Sequence, residues 1–332
     1  MARKVFDTSH FRRTFDFGSK ELFHYFPGHM PKGMANMQRK LKDVDCVLEV
    51  HDGRIPLSGR NPDFSDKLLG VRPHILVLNK VDLADLHNKE LIASKLKREE
   101  GISEIVYTNC KQQIHHTTKR VLLKKAIELI DSGPRFHRTD VKNYTLLVIG
   151  VPNVGKSSLI NALRRTHIQR GKATPVGAVS GVTRSVMERI KILHQPPIYI
   201  YDTPGILCPK VNDLETGMKL ALCATMQDHL VGHEMIADYL LFWLNKHRKF
   251  SYLPVFNLEE PSDDIFHVLS SIAMARNLTS KRRSLTGGYE VRPDFNQAAR
   301  LMITAFREGH LGKVNLDMDT LAKEKDREEF PT

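Results

Sequence analysis

Short apolar runs recur along the first two thirds of the chain, at 44–50, 74–78, 104–108, 145–149 and 197–201. Their richness in β-branched and other apolar residues predicts strands buried in a sheet. A further run at 186–193 predicts a more exposed strand. Between the runs lie helical patterns. Met30, Met34, Met37 and Leu41 recur on one face, as do Leu91 and Leu96, and the apolar positions between Val121 and Ile130. Strands alternating with helices predict an α/β fold with a mostly parallel sheet, whose ligands bind beyond the carboxyl ends of the strands.

After about residue 207 the period changes. From 213 to 250 the pattern is helical and amphipathic, with Leu214, Met218, Ala221 and Leu222 on one face, then Ile236, Leu240 and Trp243 on another. A second helical stretch covers 263–276. Lys281-Arg282-Arg283 and Gly287-Gly288 read as a loop. Asp294, with Gln297 three residues on, resembles a capping box that opens a last helix, which Gly309 stops. A helix bundle is therefore expected after the sheet. The domain reading is an import-like segment over 1–20, a nucleotide-binding domain over 21–210, a helical domain over 213–318 and a flexible tail over 319–332.

Length and charge sharpen this picture. A chain of 332 residues exceeds what one core usually fills, which favours two domains. The longest apolar stretch in the C-terminal half is 240–244, far short of the roughly 20 residues that span a bilayer. A protein that is soluble, or peripheral to a membrane, is expected. Cys46, Cys110, Cys208 and Cys223 show no CxxC spacing and read as free thiols in a reducing compartment. A net charge of +12 points to a polyanionic partner, either nucleic acid or an anionic membrane surface. The segment 1–20 is basic but carries two acids, so it is a mediocre import signal, and no secretory hydrophobic region is present.

The chemistry lies in loops that follow the predicted strands. Gly150-Val151-Pro152-Asn153-Val154-Gly155-Lys156-Ser157 follows one strand and opens a helix at Ser158, the spacing and context of a P-loop. Its glycines let backbone N–H groups face phosphate oxygens, Lys156 supplies charge to the β- and γ-phosphates, and Ser157 offers a hydroxyl to Mg²⁺. Asn79-Lys80-Val81-Asp82 follows another strand. The Asp82 carboxylate can accept from both N1–H and the 2-amino group of guanine, a donor pair that adenine lacks. The Lys80 stem can lie along the base, and Asn79 can tie this loop to the P-loop. Asp202-Thr203-Pro204-Gly205 ends a third strand, where Asp202 would hold Mg²⁺ through water and the Gly205 N–H would sense the γ-phosphate. Thr183 is the candidate switch threonine of the Mg²⁺ shell. Asn109 and Cys110 end a fourth strand, where a loop can cover the base edge.

The order of these motifs is unusual. Asn79–Asp82 precedes the P-loop, whereas in most GTPases the corresponding motif comes late. A sheet whose loops converge on one edge is indifferent to the order in which its strands are threaded. On these motifs, with Phe26-Pro27-Gly28-His29-Met30, Glu215-Thr216-Gly217 and Ala298-Ala299-Arg300, the chain resembles the circularly permuted GTPases of the YlqF/RbgA type over about residues 20–315. Two departures stand out. Gly53 replaces an alanine in His51-Asp52-Gly53-Arg54-Ile55-Pro56, and Ser180 replaces a proline of the switch.

Ile206 occupies the position of the water-orienting glutamine of Ras-like enzymes and cannot bind water. The permutation places His29 just before the helix that would take over that region, and the resemblance assigns His29 to catalysis. Asn153 matches the K⁺ ligand of potassium-dependent relatives. The resemblance further implies GTP and GDP as nucleotides and a monomeric assembly factor for the mitochondrial large ribosomal subunit. It would work on ribosomal RNA in the matrix, with a peripheral position at the inner membrane left open. Residues 164–191, with seven Lys/Arg against one acid, and the clusters 246–249 and 281–283 are the candidate RNA contacts. The competing readings are a P-loop kinase or ATPase, against which Asp82 argues, and a GTPase that regulates a protein or membrane partner without RNA.

Overall fold

The computed structural model describes residues 6–18, 38–60, 72–102, 104–111, 116–135, 138–165, 189–203, 213–283 and 287–321. They fall into two units.

The larger unit is built on a six-stranded sheet in the order β3-β2-β1-β4-β6-β5. Its strands are β1 (Cys46–Asp52), β2 (His74–Asn79), β3 (Ile105–Tyr107), β4 (Tyr144–Ile149), β5 (Arg189–Leu193) and β6 (Ile198–Tyr201). All neighbouring pairs are parallel except β5, which pairs antiparallel with β6 at the edge. The runs predicted as strands are strands, and the fold is α/β. Every residue of β1 is buried, as expected of a strand covered on both faces. Even Glu49 is buried there. His51 Nε2 lies 2.8 Å from one carboxylate oxygen, and Arg60 donates at 3.1 and 3.0 Å. These partners and burial act in opposite directions on the carboxyl, and it stays well below the usual carboxylate range.

Helices α1 (Lys89–Glu100), α2 (His116–Asp131) and α3 (Lys156–Arg165) follow β2, β3 and β4. The left-handed Gly101 ends α1 (φ 66°). Helix α4 (Leu214–Leu222) is capped by Asp213, whose side chain accepts from the Thr216 N–H at 2.7 Å.

The smaller unit contains α5 (Asp228–Val231), α6 (His233–Lys246), α7 (Tyr252–Phe256), α8 (Ile265–Ala275) and α9 (Phe295–Glu308). Helix α6 is its centre, with Trp243 and Tyr239 fully buried, and α8 and α9 pack against it. The predicted capping box holds. The Asp294 side chain accepts from the backbone N–H and the side-chain nitrogen of Gln297, and Gly309 closes the helix in the left-handed region.

Three expectations are corrected. The segment read as a loop around 281–288 is an antiparallel hairpin, β7 (Thr279–Arg283) and β8 (Tyr289–Pro293). Every residue of β8 is exposed, so no buried face marks it in the sequence. The boundary before the helical unit falls at 226/227 rather than at 210–213, so that α4, with Met218, Leu220, Ala221 and Leu222 buried, belongs to the larger unit. That unit also takes in residues 314–321, which were assigned to the helical domain and the start of the tail. Leu321 joins the core formed by Leu76, Leu78, Ile92 and Leu96. The tail beyond 321 lies outside the described residues.

Residues 6–18, read from sequence as part of an import-like segment, pack into the helical unit. Phe11 and Phe15 are buried, and Phe15 meets Tyr239 edge-on. The Arg12 guanidinium reaches Asp238 at 2.7 Å and Asp263 at 3.0 Å. Among the described residues, no helix is long and apolar enough to cross a membrane.

Candidate functional site

Parallel pairing brings the carboxyl ends of β1, β2, β3, β4 and β6 to one edge of the sheet. The loops that carry the sequence motifs leave from that edge. Asn79, the last residue of β2, laces three of them together. Its side-chain nitrogen donates to the Val154 carbonyl of the P-loop at 2.8 Å. Its side-chain oxygen accepts from the Thr108 hydroxyl and the Cys110 N–H, each at 3.1 Å. The Val81 N–H donates to the Thr108 carbonyl at 3.2 Å. Asn109 folds its own loop by accepting from the Lys111 N–H at 3.1 Å.

Two glycines make this lacing possible. Gly155 has φ +101°, and a Cβ there would stand 2.2 Å from the Asn79 side-chain nitrogen. Gly150 has φ +147°, and a Cβ there would stand 2.3 Å from the Val50 carbonyl oxygen. Side chains rarely adopt these angles and the space is taken, so the P-loop can approach β1 and β2 only through glycine.

Ser157 and Ser158 lie in the first turn of α3, whose N–H groups lack partners within the helix and therefore favour anions. Lys156 folds back over the loop and donates to the carbonyls of Gly150 (3.1 Å) and Val151 (2.8 Å). Burial lowers its pKa to about 8, with the nearby Asp202 pulling the other way. Bound phosphate favours the charged amine and raises that value again. Nucleotide affinity is therefore expected to fall above about pH 8, by up to about tenfold per pH unit. A titration of fluorescent GDP at several pH values checks this, and a flat profile through pH 9 would contradict it.

At the guanine end, one oxygen of Asp82 is buried and accepts no hydrogen bond among the described residues. A buried acceptor without a partner is costly unless a ligand supplies the donor. Lys80, in the left-handed region at φ 61°, places its amine 2.9 Å from the buried carboxylate of Asp52. Burial pushes the Asp52 carboxyl up, but Arg54 and Lys80 outweigh it and hold the group below the usual range. Sequence reasoning left Asp52 without a role. Its place at a strand end, two residues before an arginine, was the available signal.

At the phosphate end, Asp202 follows β6 and is buried, and the next residue, Thr203, donates from its hydroxyl to the Val148 carbonyl at 2.5 Å. A carboxylate and the Ser157 hydroxyl are hard oxygen donors of the kind Mg²⁺ takes. Among the described residues no three His, Cys, Asp or Glu side chains form a metal site. Asn153, left-handed at φ 58°, donates from its side-chain nitrogen to the Ala224 carbonyl at 2.7 Å. His29, Thr183 and Gly205 lie outside the described residues, as do Ser180, Ile206 and Cys208. Among the described residues, Cys46, Cys110 and Cys223 form no disulfide.

Residues 145–275 match the family model described as 50S ribosome-binding GTPase. The chain is 49% identical over 313 residues to the mitochondrial ribosome-associated GTPase 1 of Ictalurus punctatus, covering 93% of this chain and 97% of the relative. It is 50% identical to the mitochondrial GTPase 1 of Aedes aegypti, over 93% and 98%. It is 31% identical to the ribosome biogenesis GTPase A of Bacillus cereus, over 89% and 94%. Among solved structures, GNP-bound YlqF from T. maritima shares the fold with a TM-score of 0.53 and 23% identity, covering 86% of this chain and 97% of that one.

Proposed function

Because the chain belongs to the circularly permuted GTPases of the YlqF/RbgA family, and so binds and hydrolyses GTP, we propose that it matures the large subunit of the mitochondrial ribosome. In this reading it engages the subunit and its ribosomal RNA in the GTP state, as a monomer in the matrix, and thereby supports mitochondrial translation. A peripheral place on the inner membrane is compatible with it. The observation that carries the reading is that a laced guanine-nucleotide site sits in a chain whose near-full-length relatives are named for the mitochondrial ribosome. The exposed Lys246 and Arg248 of the helical unit supply positive charge suited to RNA phosphates.

Asn79, Lys80, Val81 and Asp82, with Asn109 and Cys110, hold the guanine base. Asn153, Val154, Gly155, Lys156, Ser157 and Ser158 hold the phosphates, and Gly205 reads the γ-phosphate. Ser157, Asp202 and Thr183 hold Mg²⁺, which supplies positive charge against the phosphate oxygens when bound. Asn153 offers its oxygen to K⁺, and equal turnover in K⁺ and Na⁺ buffers would reject that role. His29 orients the attacking water. The His29→Ala variant should lose about a hundredfold in turnover on the ribosome-activated complex, with nucleotide affinity nearly unchanged. Unchanged turnover excludes the role.

Cosedimentation with purified large subunits tests the whole reading. The chain loaded with a non-hydrolysable GTP analogue should pellet with the subunit, the GDP form should not, and rising salt should release it. Equal behaviour in both nucleotide states counts against the proposal. Binding to protein or vesicles that survives without RNA would favour the competing reading.

A further inference from the structure

We infer that Asp52 is a positioning residue for guanine-nucleotide binding: it fixes the Lys80 side chain in place for the base, and Arg54 fixes Asp52. The inference rests on the reading of Asn79–Asp82 as the guanine loop, and goes beyond it by adding a residue from a different strand.

The carboxylate of Asp52 ends β1 and is fully buried. One oxygen accepts from the Arg54 N–H and Nε, each at 3.0 Å. The other accepts from Arg54 Nη2 at 2.8 Å and faces the Lys80 amine at 2.9 Å. Arg54 is itself almost completely buried, so the carboxylate has no freedom to turn. The backbone reinforces this alignment. The Gly53 N–H donates to the Asn79 carbonyl at 2.7 Å, locking the loop after β1 onto the residue that precedes Lys80. A Cβ on Gly53 would stand 3.0 Å from that same oxygen, so the glycine at this departure from the family pattern leaves the contact uncrowded.

Two carboxylates and two cations meet here. Asp52 attracts Arg54 and Lys80, and Asp82 attracts Arg54 as well. The group is neutral in sum, so the Lys80 amine is balanced without help from the nucleotide. Lysine is a flexible stem with a mobile charge, and laying it along a ring normally loses rotamer freedom. A carboxylate fixed by a bidentate arginine takes that loss before the base arrives, which is preorganisation. Only the aliphatic part of Lys80 then faces the base, while its charge stays on Asp52. Asp52 therefore acts through Lys80.

The test is a double-mutant cycle on the full chain, read as the dissociation constant of fluorescent GDP and as kcat against KM for GTP. Asp52→Asn should weaken GDP binding about tenfold and raise KM similarly, with kcat unchanged. Lys80→Met should weaken binding at least as much. In the Lys80→Met background, Asp52→Asn should add little, because its route is already cut. Asp52→Asn leaves Arg54 buried without its full charge partner. Should that variant fail to fold, Asp52→Asn with Arg54→Met removes both members of the pair and is read in the same way. If Lys80→Met leaves GDP affinity unchanged, the guanine-loop reading itself fails. If Lys80→Met weakens binding and Asp52→Asn does not, or if the two effects multiply, Asp52 is structural only and the inference is overturned.

Discussion

Asp82→Asn should weaken GTP and GDP binding by about a hundred- to a thousandfold and let the protein take xanthine nucleotides instead. The carboxylate offers two acceptors toward the N1–H and 2-amino donors of guanine. Each hydrogen bond to a charged group is worth about 1.5–3 kcal/mol, and an amide opposes one donor with another. Xanthine carries a carbonyl where guanine carries the amino group, so the amide nitrogen regains a partner there. The buried oxygen of Asp82 that accepts nothing from the described residues is the structural reason for expecting so large an effect. Competition against fluorescent GDP by GTP, XTP and ATP measures it. A variant that still prefers GTP would show that the base is read elsewhere.

The second large effect concerns stability and lies far from the nucleotide motifs in sequence. Asp317 is completely buried in the larger unit. Its carboxylate accepts from the N–H groups of Leu57 (2.8 Å) and Ser58 (3.0 Å) and from the Ser58 hydroxyl, and it faces the Lys219 amine of α4 at 3.4 Å. Asp317→Ala should cost on the order of 3–5 kcal/mol, because it leaves two backbone donors without their acceptor and leaves the buried Lys219 amine only the half-exposed Glu215, at 3.4 Å, as a charge partner. The melting temperature should fall by roughly 10 °C, while Asp317→Asn, which keeps an acceptor, should lose less. Calorimetry or urea unfolding reads both. A loss below about 1 kcal/mol for the alanine variant would mean that the returning segment does not hold this unit together. The same segment flanks the base loop, since Val314 pairs with Ala84 and the Leu316 N–H donates to the Arg54 carbonyl at 2.8 Å. Loss of Asp317 should therefore also weaken nucleotide binding.

Much of this was legible in the residues. The strands of the sheet were readable because a parallel sheet buries both faces and so draws on runs rich in β-branched and other apolar residues. The cap at Asp294 and the stop at Gly309 were readable because each is settled within a few residues, by the Asp294–Gln297 side-chain pairing and by a glycine in the left-handed region. The hairpin was missed for the converse reason. Its second strand exposes every residue, including Tyr289 and Val291, so it leaves no burial pattern.

By itself, the sequence determined the class of fold, the permuted order of the nucleotide motifs and the family, because each is carried by a short pattern whose geometry is local. The tertiary structure alone decided which residues hold those motifs in place. Asn79 bonds a P-loop carbonyl 75 residues away, Arg12 holds Asp263 across 251 residues, and Asp317 closes on Leu57 across 260. A buried charge can be satisfied by any partner the fold brings near, and neither periodicity nor spacing records which one. That choice arises only when the parallel strands align their ends and the chain returns to the sheet.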